Sequence, residues 1–216
     1  MAKVKESKQS MIDICEATEE HVEGIRDLFL AAYGRNYAYP SYYDLRVLKK
    51  MVYDDDMLLL VAVDEHSGRV AGTASVIFDL GEFGDLVGEF GRLVVHPDFG
   101  NQGIGKKLMN ARLENAKKRL HFGFVENRTT HPFSQKISDI FGFAAAGFLP
   151  QKHRFKDRES LAIYLRLFAD ALKLRRNNPR VIPEAYLLAQ KVMASCDMEP
   201  DAIPDEDSPG YPHATS

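Results

Sequence analysis

Apolar and polar residues alternate over residues 11–16 (Met-Ile-Asp-Ile-Cys-Glu), the period of a half-buried strand. Thr18 then offers an N-cap, and Glu19 and Glu20 put negative charge in the first helical turn. Val22, Ile25, Leu28, Phe29 and Ala32 follow at helical spacing, and Gly34 stops that helix. Ser41 is placed to cap a second helix carrying Leu45, Leu48 and Val52. Residues 57–63 form a continuous apolar run, as in a strand covered on both faces. After the turn Asp64-Glu65-His66-Ser67-Gly68, residues 70–78 return as its hairpin partner. An acidic, Gly-rich loop spans 81–88, and a strand over 89–95 stops at His96-Pro97-Asp98.

Gly103 opens the next helix, with Ile104, Leu108 and Ala111 on its buried stripe. Residues 121–125 can form a short strand, 132–141 a helix ending at Gly142, and 143–149 and 160–168 two closing strands. The order is strand, two helices, three strands, helix, strand, helix, two strands. A hairpin combined with a βαβ crossover implies an α/β (α+β) fold, with a mixed, mainly antiparallel sheet flanked by helices.

The pattern also divides the chain. Residues 1–10 read as a flexible leader, 11–168 as the folded domain and 169–196 as a helical C-terminal extension. Within the extension, 169–176 is basic and helical, and a second helix starts at Pro183. Residues 197–216 read as a disordered acidic tail. The Ala/Leu stripe of the extension permits packing on the domain, a homodimer contact, or a link to a fused or neighbouring domain.

Composition narrows the function classes. A net charge of −3 over 216 residues gives no basic field for nucleic acid or acidic lipid. No stretch approaches the ~18 apolar residues of a membrane span. The polar start lacks a secretory apolar core, so a cytoplasmic location is expected. Cys15 and Cys196 lie in no metal-ligand spacing, the histidines do not cluster, and no metal is expected.

The sharpest chemical feature is the stretch from Leu93, Val94 and Val95 through Gly100-Asn101-Gln102-Gly103-Ile104-Gly105 to Lys106 and Lys107. A strand ends, a Gly-rich loop follows and a helix begins. Helix N-termini expose N–H groups and partial positive charge, and glycines let an anion approach the backbone. The spacing is neither a P-loop nor a dinucleotide fingerprint. Residue types alone leave a phosphate site or an unliganded turn.

This stretch closely resembles the signature of the GNAT superfamily of N-acetyltransferases, Arg/Gln-x-x-Gly-x-Gly/Ala after a strand. Gly103 and Gly105 match it, and Phe141-Gly142-Phe143 and Gly147-Phe148 match the superfamily's Gly-Phe landmarks. The resemblance covers roughly residues 11–168. It implies the GNAT acyl-CoA N-acyltransferase fold, acetyl-CoA as cosubstrate, and a small-molecule or protein amine as acceptor. It implies that amides from Gln102 to Lys106 hold the pyrophosphate. Leu93, Val94 and Val95 would pair with the pantetheine arm, and an amide near Val95 would hold the oxyanion. Gly100 stands where the superfamily has Arg or Gln, and Asn101 where Gly is common, so weakened CoA binding is expected.

Candidate acids and bases follow from the same mapping. Glu89 heads the loop-bearing strand, on the parity of Leu93 and Val95, and is either the general base or an exposed strand-start glutamate. The tyrosine that protonates the leaving sulfur in many members is replaced by Ser138. His131-Pro132-Phe133-Ser134-Gln135 resembles a variant found in a subset of the superfamily. His131 could act as acid or orient the acyl group, and Ser134 could bond pantetheine or sulfur. Otherwise they are a helix cap and a turn residue.

Two further segments stay open. The tyrosines at 33, 37, 39, 42 and 43 form either a packed aromatic loop or a pocket wall. Lys152, His153, Arg154, Lys156 and Arg158 read as a solvated loop, or as a patch reaching an anionic acceptor or the CoA 3′-phosphate. The expected function is N-acyl transfer. The alternatives are a non-catalytic acyl-CoA-binding regulatory module and another CoA-thioester reaction, such as decarboxylation or O-transfer.

Overall fold

The computed structural model describes residues 11–82, 84–175 and 178–205. The expected leader lies outside them, as does the tail beyond Asp205. One seven-stranded sheet runs in the order β1 (Ile12–Glu16), β2 (Met57–Asp64), β3 (Val70–Leu80), β4 (Val87–Val95), β5 (Phe122–Arg128), β7 (Arg158–Leu167), β6 (Ala144–Arg154). Every pairing in it is antiparallel except β4 with β5. The mixed sheet and the element order through β7 are those read from the sequence.

Helices cover both faces and create two apolar layers. Helix α1 (Val22–Tyr33) and helix α2 (Leu45–Val52) bury Ile25, Leu28, Phe29 and Leu48 against Leu59, Val61 and Val94. Helix α3 (Ile104–Ala116) buries Ile104, Leu108, Met109 and Leu113 against Leu60, Ala74, Val76 and Phe90 on the other face. The continuous apolar run of β2 feeds both layers by alternation: Leu60 joins one, Leu59 and Val61 the other.

Several boundaries differ from the sequence reading for local reasons. A short 3-10 turn at Glu19–His21 precedes α1, with Nδ1 of His21 accepting from the Thr18 amide at 3.0 Å. Pro40 draws Ser41 into a 3-10 turn at Pro40–Tyr43, so α2 is capped by Asp44 rather than Ser41. The Asp44 carboxylate accepts from the Arg46 amide at 2.8 Å. Helix α4 spans Phe133–Ile140. Strands β6 and β7 run further than expected, which places residues 152–158 at the tip of a hairpin.

In the extension, the expected first helix is only a 3-10 turn at Ala171–Leu174. Helix α5 (Pro183–Ser195) packs against β6. Residues 197–205, assigned by sequence to the tail, carry β9 (Ile203–Pro204), paired in parallel with β8 (Arg180–Val181).

Candidate active site in the splay between β4 and β5

Strands β4 and β5 are hydrogen-bonded neighbours only at Val87↔Phe122, Gly88↔Gly123 and Glu89↔Phe124. Beyond Glu89 they diverge. Both glycines in that short ladder lack room for a Cβ: at Gly88 it would meet Leu120 at 2.5 Å, and at Gly123 it would meet Phe168 at 2.7 Å.

The divergence coincides with a bulge in β4. Its register against β3 passes from Ser75↔Gly91 to Thr73↔Val94, so Arg92 and Leu93 face the single residue Ala74. Arg92 takes a φ of 54°. The extra residue reverses the parity of everything after it. Phe90, Leu93 and Val95 pack in the α3 layer, and Val94 in the α1 layer. Glu89 therefore does not share a face with Leu93 and Val95, contrary to the alternation read from the sequence.

Arg112, on α3, supports the bulge from beneath. Its Nη1 donates to the carbonyls of Gly91 at 3.0 Å and Ser75 at 3.2 Å. Complete burial lowers its pKa to about 9, so it is charged at neutral pH. No carboxylate pairs with it among the described residues.

At the far end of β4, Asn101 and Gly103 adopt φ of 62° and 74°. Asn is the residue after Gly that best tolerates this region, so the chain path survives the departure at Asn101. Gly103 is the N-cap of α3, and a Cβ there would meet nothing within 4 Å. Gly105 serves packing, because its Cβ would lie 3.0 Å from Ile137 on α4. The Lys106 amide donates to Gly103 O at 3.0 Å, which removes it from the run of amides expected to face an anion.

Between the splay and the tyrosine segment lies a cavity of about 120 Å³. Both readings of the tyrosines apply. Tyr42 is buried against Phe29 at 4.4 Å between centroids, and burial raises its pKa to about 12. Tyr33, Tyr37 and Tyr39 line the cavity together with Phe155. Burial raises the pKa of each of those three tyrosines above the ordinary value.

Charge around this cavity is extensively paired. Glu89 is ion-paired with Arg92, whose guanidinium also lies 4.6 Å from the Tyr39 ring centroid. Arg128 binds both oxygens of Glu159 at 2.6 Å and lies 4.2 Å from the Phe155 ring. Glu126 is ion-paired with Lys152, and its other oxygen is 3.4 Å from His153 Nε2. The same Nε2 is 3.2 Å from the Tyr39 hydroxyl. Burial lowers the His153 pKa below 6.5, and Glu126 offsets only part of that effect.

His131 and Ser134 also line the cavity, and His131 Nδ1 and Ser134 Oγ are buried without a hydrogen-bond partner. Ser138 is not part of the cavity lining. It is fully buried and accepts from Asn127 Nδ2 at 2.9 Å. The structure thus brings Glu89, Leu93, Val94, His131 and Ser134 to one cavity, while Gly100 to Gly103 form the turn beyond β4 and Ile104 to Lys106 the first turn of α3. Arg92, Arg112, Asn127 and Arg128 join them without having been singled out for it, and His153, read in the sequence only as part of the basic 152–158 patch, joins them too. For His153 a signal existed: Lys152-His153-Arg154-Phe155-Lys156 alternates, with His153 and Phe155 half-buried and the three cations exposed.

The acetyltransferase (GNAT) family model matches residues 22–138, more than half of the chain. The chain belongs to the GNAT acetyltransferase family. Solved structures show the same fold as this GNAT domain. The yncA protein of Salmonella typhimurium, solved with its cofactor acetyl-CoA, is 18% identical with a TM-score of 0.64, over 79% of this chain and 98% of that one. The ribosomal-protein-S5-alanine acetyltransferase of Vibrio fischeri is 15% identical with a TM-score of 0.63, over 74% and 94%. A spermidine N-acetyltransferase SpeG mutant from Vibrio cholerae is 16% identical with a TM-score of 0.60, over 74% and 96%. No curated protein matched the sequence. Among the described residues, no helix of this GNAT domain is long and apolar enough to cross a membrane, and no group of three His, Cys, Asp or Glu side chains could hold a metal ion.

Proposed function

We propose that this GNAT domain transfers the acetyl group of acetyl-CoA to an amine by direct attack. The observation that carries this reading is the splay: β4 parts from β5 beyond Glu89, and the chain after β4 leads through a short turn to the left-handed cap of α3 at Gly103. Acetyl-CoA fits the residues present. Its pantetheine arm would pair with the backbone at Leu93, Val94 and Val95, and its pyrophosphate would sit on the turn from Gly100 to Gly105 at the start of α3. Its thioester would then reach the two orphaned atoms, His131 Nδ1 and Ser134 Oγ.

The amine enters from the tyrosine side. Its lone pair attacks the thioester carbon, and the carbonyl electrons move to oxygen, which an amide near Val95 stabilises. Collapse breaks the C–S bond, and the sulfur leaves with the electron pair and takes a proton from the Ser134–His131 side. The proton lost by nitrogen passes to His153, which burial keeps neutral at neutral pH. Glu126 beside it stabilises the resulting imidazolium. Glu89, the base expected from the sequence, is the counter-ion of Arg92 in this scheme.

The test is calorimetry with acetyl-CoA and with CoA on the natural protein and on Gly103→Glu. The variant would put a carboxylate at the expected pyrophosphate position; its Cβ meets nothing within 4 Å, but the left-handed φ of 74° makes the substitution strained, so folding of the variant is checked by circular dichroism before binding is compared. Binding by the natural protein and its loss in a folded variant support the site; equal binding by both defeats it. One observation favours a non-catalytic acyl-CoA-binding module: Ser138, at the usual tyrosine position, is buried on Asn127. Release of CoA thiol in the presence of amines separates the two readings.

A further inference from the structure

Two arginines at the cavity retain unused donors. Arg92 spends Nη1 on Glu89, and its Nε is buried without a partner. Its side chain is 10% exposed, and the bulge directs it into the cavity lining. Arg112, 1% exposed, spends its terminal nitrogens on two carbonyls and Met109 sulfur, and its Nε is likewise unpartnered. A guanidinium can only donate, so both atoms call for an acceptor.

The charge balance points the same way. Arg92, Arg112 and Arg128 line the cavity against Glu89 and Glu126. The outer partners, Lys152 on Glu126 and Glu159 on Arg128, add one charge of each sign. With His153 neutral, one positive charge remains uncompensated in a low-dielectric enclosure. Such a charge is unfavourable until a counter-ion arrives. The carboxylates here are already engaged by Arg92, Arg128 and Lys152, so they are ill suited to hold a polycationic amine.

Resting on the acetyltransferase reading, we infer that the acceptor is a small amino acid: an amine carrying its own carboxylate, which docks on the Arg92 side of the cavity. A singly charged carboxylate matches a surplus of one, whereas a phosphate dianion would overshoot it. The rings of Tyr33, Tyr37 and Phe155, 4.8–6.0 Å apart between centroids, form an aromatic part of the same lining and suit an apolar side chain. The reaction forms the N–C bond of an N-acetyl amino acid and releases CoA as its thiol, with the amine proton leaving through the base.

The test has two arms on the full-length protein. First, binding of N-acetyl amino acids with apolar side chains is compared by calorimetry with binding of their C-terminal amides, in the presence of CoA. The carboxylate form should bind tighter by about 10–100-fold, the worth of a hydrogen bond to a charged group. Arg92→Gln should erase that preference. Glu89→Gln, which adds one to the surplus, should increase it. Amides binding as well as acids, or Glu89→Gln weakening the acids, would overturn the inference.

Second, CoA release from acetyl-CoA is followed with free amino acids, their amides, spermidine and a short peptide. Turnover confined to free amino acids supports the inference, and faster turnover of the amide or of spermidine overturns it. A carboxylate preference in binding without CoA release from any amine would leave the pocket assignment standing and remove the enzymatic reading instead.

Discussion

The imidazole Nε2 of His153 lies 3.2 Å from the hydroxyl of Tyr39, a contact that spans 114 residues of sequence. It joins the tip of the β6–β7 hairpin to the segment between α1 and α2, and so closes one side of the cavity. Because burial lowers the His153 pKa below 6.5, the imidazole is neutral and able to take a proton at neutral pH. Protonation on acidification removes that capacity, so kcat/KM should fall as pH drops through the lowered value, with its midpoint below 6.5. Replacing His153 with Gln should reduce kcat by about 10²–10⁴-fold and abolish that acid limb. A pH–rate profile of the variant that keeps the limb would remove His153 from the proton path.

Ser134→Ala and His131→Ala each remove one orphaned polar atom from the cavity. If these atoms serve the departing sulfur, kcat should fall by about tenfold or more while acetyl-CoA affinity changes little, since an interaction made only in the transition state lowers kcat. Steady-state kinetics beside calorimetry reads both quantities. Loss of affinity with unchanged kcat would assign them to ground-state binding of the cosubstrate.

Gly123 faces Phe90 and Phe168, whose rings would lie 2.8 and 2.7 Å from an added Cβ. Gly123→Ala should therefore destabilise the fold by about 1–3 kcal/mol through overpacking, and lower Tm by roughly 2–10 °C for a chain of this size. Gly84 meets nothing within 4 Å of its Cβ position and has no positive φ, so Gly84→Ala is the matched control with unchanged Tm. Thermal unfolding of the pair tests whether this approach of β5 to the Phe90–Phe168 stack is as close as described.

Ending the chain after Arg175 removes β8, α5 and β9. Met193 and Ala202 are buried in that unit, and α5 packs on β6, the edge strand of the sheet. Uncovering an edge strand that bears exposed Phe148 and Leu149 invites self-pairing. The shortened chain should have a lower Tm and a concentration-dependent increase in apparent mass by light scattering. Unchanged behaviour would make the extension an independent appendage.

Much of this was legible in the chain. The order of elements followed from the continuous apolar run of β2 and the roughly 3.6-residue period of α1 and α3, because β2 is covered on both faces and each helix buries one stripe. The Gly-rich turn into α3 was legible because glycine at left-handed or crowded positions is hard to replace, as at Gly103 and Gly105. The chemistry of the cavity was mostly hidden. Arg92 enters it through a bulge whose residue, Arg, carries no turn signature. Arg112 sits on a helix face where an arginine ordinarily reads as solvated. His153 was obscured by its charged neighbours, although the alternation of Lys152, Arg154 and Lys156 with His153 and Phe155 was there to be used.

The bulge at Arg92 makes β4 a strand with two phases. Ahead of it, Glu89 looks toward the tyrosines; behind it, the alternation is inverted, so that Val94 and not Leu93 turns that way. Deleting residue 92 would leave Leu93 alone opposite Ala74 and restore plain alternation, with Leu93, Val94 and Val95 kept in their present layers and the arginine lost from the cavity. What the extra residue adds is a place for a guanidinium at the mouth of the splay, at no cost to the layers that Leu93, Val94 and Val95 occupy.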